Sequence, residues 1–172
     1  MDQHSEGHRH RRTDGRAQNP AINDPYQSAH KPKEPAICRE CGLTFHAGRW
    51  HWPAANDSAA SVAQATCPAC RRIHDRLPAG LLTISCAAQD REQILGLVRT
   101  CETAEKADHP LARIMAIEPS DDGAQISTTD THLPVRIGKA LDSSFRGGKL
   151  HVDHAEDAYF VRVGWTAPGK AS

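Results

Sequence analysis

The apolar positions change period along the chain, and the changes mark the elements. From Asp90 the period is helical: Asp90 with Gln93 three residues later reads as a helix start, and Ile94, Leu97, Val98, Cys101 and Ala104 share one stripe. This helix is predicted to end before Pro110. Segments 111–118 and 124–129 then read as strands around a Ser120-Asp121-Asp122-Gly123 turn, with Arg113, Met115 and Ile117 alternating against Ile114 and Ala116. A second helix starts near Thr131 or His132, accepts Pro134 in its first turn, carries Leu133, Ile137, Ala140, Leu141 and Phe145 inward, and stops at Gly147-Gly148. Segment 149–155 alternates through Leu150 and Val152. Tyr159, Val161, Val163 and Trp165 then keep a period of two, with Arg162 on the other face. The order α-β-β-α-β-β predicts an α+β fold with helices on one face of a small antiparallel sheet, over residues 86–166.

Upstream the pattern is weaker. Residues 1–35 hold four histidines, six basic and five acidic residues and four prolines without apolar periodicity, which predicts a disordered tail. Its His8-Arg9-His10-Arg11-Arg12 start is read as solvated rather than as a metal or phosphate site. Residues 36–85 are expected to form short strands and knuckles, with 54–66 as a small polar loop, and residues 167–172 a disordered end. The longest nearly apolar stretch, 77–85, falls far short of the roughly 20 residues that span a bilayer. The amino terminus has no apolar signal core. Both point to a soluble, cytoplasmic protein with no membrane partner.

Apolar residues make up 38% of the 172 positions and aromatics 5%, so a core of this size needs support beyond burial. The cysteines offer it. Six occur, and four form two CxxC pairs, Cys38-Arg39-Glu40-Cys41 and Cys67-Pro68-Ala69-Cys70. A CxxC turn holds two sulfurs at one edge of a tetrahedron, and two such turns close a four-thiolate site, so one structural zinc on Cys38, Cys41, Cys67 and Cys70 is expected. His46, His51 or His74 could replace one sulfur, and a single CxxC could serve redox chemistry, although no βαβ context supports that. Structural zinc adds on the order of 10–16 kcal/mol of apparent folding free energy, and four cysteines leave no open position for catalysis. Cys86 and Cys101 read as buried small hydrophobes.

The run Ile37-Cys38-Arg39-Glu40-Cys41, then Gly48-Arg49-Trp50, then Cys67-Pro68-Ala69-Cys70 resembles the N-terminal zinc region of the large-subunit ribosome export adaptors, the nonsense-mediated-decay-protein-three family. It is also similar to a group of short bacterial proteins that carry this region alone. The resemblance spans about residues 36–166. It implies a non-enzymatic protein that works near ribosomal RNA or ribosomal proteins, with the zinc ribbon as a platform. The export adaptors have further CxxC pairs and docking domains, so export itself is not carried over.

The charges, 21 basic and 21 acidic, balance over the whole chain but not locally. Segment 36–85 has five arginines against three acidic residues, whereas 81–172 has ten basic against thirteen acidic. Arg71 and Arg72 follow the second CxxC, where they can neutralise the thiolates or reach phosphate, and Arg39, Arg49 and Arg76 extend the same patch. A strand over Arg49-Trp50-His51-Trp52 puts both tryptophans on one face, to pack on the knuckles or to stack on bases. These seven residues are the candidate RNA or partner contacts. The alternative is a transcription-linked or protein-binding zinc module. An enzyme is disfavoured: the chain has no Gly-rich phosphate loop, no HExxH, no HxE followed by PCxxC and no serine-nucleophile motif. Asp130 with His132 is explained by a helix cap.

Overall fold

The structure, a computed structural model, describes residues 24–28, 31–53 and 62–169. It is α+β and holds two mixed sheets. The cysteine-bearing sheet is built from three-residue strands, β1 (Ala36–Cys38), β2 (Thr44–His46), β3 (Arg49–His51) and β4 (Ala63–Ala65), in the order β3-β2-β1-β4. A helical turn, α1 (Pro25–Ser28), precedes it and α2 (Pro68–Asp75) follows. The larger sheet comprises β5 (Gly80–Ser85), β6 (Ile114–Ser120), β7 (Gly123–Thr128), β8 (Lys149–His154) and β9 (Val161–Thr166), in the order β6-β7-β5-β9-β8. Helices α3 (Arg91–Asp108) and α4 (His132–Ser144) complete the chain.

The predicted α-β-β-α-β-β order is present from Arg91 on, but the sheet is not purely antiparallel and it has a fifth strand. β5, placed by sequence with the zinc segment, is the central strand, antiparallel to β7 and parallel to β9. Segment 80–85 therefore belongs to the sheet assigned to 86–166. Three further expectations change. Ala63–Ala65, read as loop, pairs in parallel with β1, while 54–61 lie outside the described residues. Of the expected tail, Asp24–Ser28 packs on α2, and 1–23 and 29–30 lie outside the described residues. At the other end the Ala167 N–H donates to the Ser85 carbonyl at 2.8 Å, while 170–172 lie outside the described residues.

The larger core follows the two periods. Leu82 and Ile84 of β5, Ala124 and Ile126 of β7, and Val161, Val163 and Trp165 of β9 point to one face. They meet Ile94, Leu95 and Val98 of α3 and Leu133, Ile137 and Leu141 of α4, each side chain contributing about 1.5–3 kcal/mol by its burial. The α3 stripe is rotated from the expected one: Ala104 is exposed, and Glu105 takes an inward position. Asp90 stands at the start of α3 as the sequence predicts, but its side chain makes no cap bond. At α4 the cap is Asp130, whose carboxylate accepts from the His132 and Leu133 N–H groups at 3.1 and 3.3 Å. Two glycines set close approaches. Gly123 has φ +149°, and a Cβ there would lie 1.9 Å from the Ile84 carbonyl oxygen; a Cβ on Gly138 would lie 2.7 Å from Leu150, so α4 lies directly on the sheet. No helix among the described residues is long and apolar enough to cross a membrane.

Candidate metal centre

Strand pairing brings the two CxxC segments together. β1 and β4 run parallel with Cys38 opposite Ala65, which sets Cys67 two residues further on beside the first knuckle. There the Cys67 N–H donates to Cys38 Sγ at 3.3 Å. Cys67 is also the N-cap of α2, with Pro68 in the first turn, and its own sulfur accepts from the Cys70 N–H at 3.5 Å. The Sγ atoms of Cys38, Cys41, Cys67 and Cys70 all lie within 4.8 Å of one another, and Cys41 and Cys67 are 3.7 Å apart. Four sulfurs at about 2.3 Å from one tetrahedral ion lie roughly 3.8 Å apart, so the cluster has the dimensions of a soft-metal site. Leu43, Ala69 and Trp50 pack around it.

A fifth residue completes the centre from the other sheet. Arg113, 7% exposed, precedes β6 and donates from Nη2 to Cys41 Sγ at 3.1 Å and from Nη1 to Cys70 Sγ at 3.5 Å. Its Nε donates to the Pro110 carbonyl at 2.8 Å. Thr129 fixes its backbone: the Arg113 N–H donates to Thr129 Oγ1 and the Thr129 N–H to the Arg113 carbonyl, both at 2.9 Å. Four thiolates around a divalent ion carry a formal charge of −2, and one guanidinium halves it. The neutralising role that sequence gave to Arg71 and Arg72 thus falls to Arg113. Strand alternation does not signal Arg113: a β-bulge follows between Ile114 and Ala116, and Ile114 and Ile117 are the residues that pack on the core.

The titration of the cluster has separate causes at each sulfur. Burial would raise Cys38, but N–H donors from Cys67, Cys41 and Glu40 outweigh it and bring the thiol down to about 7. Burial pushes Cys67 up to about 12 and also raises Cys70, each with neighbouring sulfurs adding to the effect. Without a metal ion Cys67 and Cys70 therefore hold their protons, and metal binding releases them. For Arg113 burial favours the neutral form, yet the hydrogen bond to Cys41 and the fields of three sulfurs win, and its pKa is raised.

The candidate contact residues scatter. Arg39, Arg49 and Arg76 are exposed. Trp50 lies on Phe45 with ring centroids 5.2 Å apart, beside the cysteine cluster. Trp52 follows the end of β3 at His51; its indole donates to the Lys106 carbonyl near the end of α3 at 2.8 Å, and its ring centroid lies 5.9 Å from the Arg113 guanidinium carbon. Arg72 is corrected as a surface contact, being 4% exposed and ion-paired with Asp24. Arg71 is half-buried and donates to the Tyr26 carbonyl.

Between the two sheets lies a cleft of about 1020 Å³ that joins residues distant in sequence. Phe45, Arg49 and Trp50 line one side, with Lys31; His132, Val135, Arg136 and Lys139 of α4 line the other. His132, Arg136 and Lys139 follow the i, i+4, i+7 spacing of one helix stripe. Glu105, 6% exposed, accepts from Arg136 Nε at 2.7 Å and so fixes that side chain. Lys31, Arg49 and Lys139 make no ion pair among the described residues. Arg49 is already a candidate contact by sequence, whereas Lys31, Arg136 and Lys139 escape that reading because 31, 49 and 136–139 meet only in three dimensions. Compared with protein-family models, curated proteins and solved structures, the chain matches none.

Proposed function

We propose that the protein is a non-enzymatic adaptor, structured by one zinc ion on Cys38, Cys41, Cys67 and Cys70, that binds RNA in the cleft between its two sheets. One observation supports this above the others: the cleft has a basic residue pair on each side, Lys31 with Arg49 and Arg136 with Lys139, and an aromatic wall at Trp50. Its three carboxylates are Glu105, which pairs with Arg136, Asp130, which caps α4, and Asp108, so Lys31, Arg49 and Lys139 are the basic groups without an ion pair among the described residues. Phosphates fit the basic sides, and a base fits the tryptophan. The zinc chemistry agrees with a scaffold, since four sulfurs close the coordination shell, and Arg113 ties that shell to the sheet carrying α4. Ribosomal RNA or the large ribosomal subunit is the partner that the sequence resemblance implies.

Co-sedimentation with ribosomal subunits across a salt series tests this. Each phosphate contact contributes about 0.7–0.9 to the slope of log affinity against log salt, so Arg49→Ala with Lys139→Ala should flatten it by roughly 1.4–1.8. An unchanged slope, or no binding at low salt, sinks the RNA reading. One observation favours a protein partner instead: Ile73 and Leu77 at the end of α2 are 39% and 56% exposed. Binding that ignores salt and is lost in Leu77→Ser would select that reading.

A further inference from the structure

The two arginines after the second CxxC are covered by the chain itself. Arg72 Nη2 donates to the Asp24 carboxylate, and both side chains are nearly fully buried. Arg71 Nη2 donates to the Tyr26 carbonyl. The Tyr26 ring lies against both, its centroid 4.4 Å from the Arg72 guanidinium carbon and 5.7 Å from that of Arg71. A second ring, Tyr159, stands 5.5 Å from Arg72 and also lines the cleft. The covering segment is also held on α2 by the Tyr26 hydroxyl, which donates to Asp75 at 2.8 Å, and is turned on itself by the Tyr26 N–H, which donates to Asp24 at 2.9 Å.

A carboxylate and a flat ring two residues apart, set on paired guanidiniums, have the two groups of a nucleotide: an anion and a base. We propose, resting on the RNA reading above, that Arg71, Arg72 and Tyr159 form a nucleotide subsite at the end of the cleft, and that Asp24 and Tyr26 occupy it as an internal mimic. The mimic is imperfect. The carbonyl of Tyr26 takes one donor of Arg71, while the buried Arg71 Nε has no hydrogen bond among the described residues. A phosphate offers several acceptor oxygens and satisfies both edges of such a pair. A tethered occupant acts at an effective concentration on the order of mM, so an isolated phosphate is excluded and only a strand held elsewhere along the cleft displaces it. The segment thereby sets a threshold on strand length.

The test uses the full zinc-loaded chain and a fluorescein-labelled oligouridine, with anisotropy read across a sodium chloride series. The Asp24→Ala/Tyr26→Ala variant should bind roughly tenfold tighter, the gain of one charge-assisted hydrogen bond. Its salt slope should steepen by about 1.4, two single-strand phosphate contacts. Adding Arg71→Ala should remove about half of that increase, whereas Arg71→Ala alone should leave the slope unchanged. Asp24→Asn keeps the packing and weakens only the charge, and should bind two- to threefold tighter, which decides the matter should the double variant lose zinc. Equal affinities and slopes for intact and variant chains overturn the masked subsite and leave RNA binding standing. Weaker binding by the variants also overturns it, and no binding by any form removes both readings.

Discussion

Removing the Arg113 guanidinium while keeping its aliphatic stem should loosen the metal centre from the far sheet. Arg113→Met deletes donors at 3.1 Å to Cys41 and 3.5 Å to Cys70. At an effective dielectric of about 20 the nearer contact has a gross Coulomb energy of about 5 kcal/mol, most of it offset by desolvating a side chain only 7% exposed. Hydrogen bonds to charged groups retain about 1.5–3 kcal/mol net. Two of them, one long, give an expected loss of about 2–4 kcal/mol in the zinc-loaded protein. In the metal-free cluster Cys67 and Cys70 hold their protons, so the loss there is smaller, and the difference appears as weaker zinc binding, about 10–100-fold. Competition against a chromophoric chelator reads the affinity, and thermal melting of both forms reads the stability. Arg113→Lys keeps the charge but reaches one sulfur, and should recover about half of the loss. Wild-type zinc affinity in Arg113→Met would refute the reasoning, since it would mean that the guanidinium contributes nothing to the thiolate form.

Other outcomes follow from the same structure. Elemental analysis should find one zinc per chain, lost in Cys67→Ser, and chelation should abolish the packing around Leu43 while the separate core of the larger sheet keeps its circular dichroism. Gly123→Ala would put a methyl 1.9 Å from the Ile84 carbonyl oxygen and should cost several kcal/mol, read as a fall in the denaturant midpoint. Burial raises the Asp130 carboxyl above its ordinary 3.8, against the pull of the Leu133 and His132 N–H groups. Ionising it therefore costs the folded state more than the unfolded chain. Stability relative to Asp130→Asn should fall as pH rises through the window just above 3.8, and urea titrations at several pH values check that sign.

The parts legible in sequence were those set by local rules. Cysteine spacing picked out the four sulfurs that cluster, 3.6-residue periodicity gave α3 and α4, and alternation through Val161, Val163 and Trp165 gave β9. β5 was hidden because it is central: Gly80, Leu82 and Ile84 are buried and Leu81 and Ser85 half-buried, so the segment reads as a short apolar run without a clean period. β4 was hidden because Ala-Gln-Ala carries no strand signal of its own and is extended by its pairing with β1. Arg113 with Cys41 and Arg72 with Asp24 are separated by 72 and 48 residues, and no local pattern encodes such encounters. The misplacement of Arg71 and Arg72 has that origin, since their acceptors lie in a segment with no apolar period.

The central position of β5 also orders events during synthesis. Gly80 pairs with Val161, so the middle of the larger sheet waits for a strand some eighty residues further on. Cys38 and Cys67 are only 29 residues apart, and their knuckles can close around metal long before that strand leaves the ribosome. Until then β5 presents one edge without its parallel neighbour, and loop closure over that length makes this pairing the slow step. A nascent chain of this protein should hold its metal first and complete its sheet last.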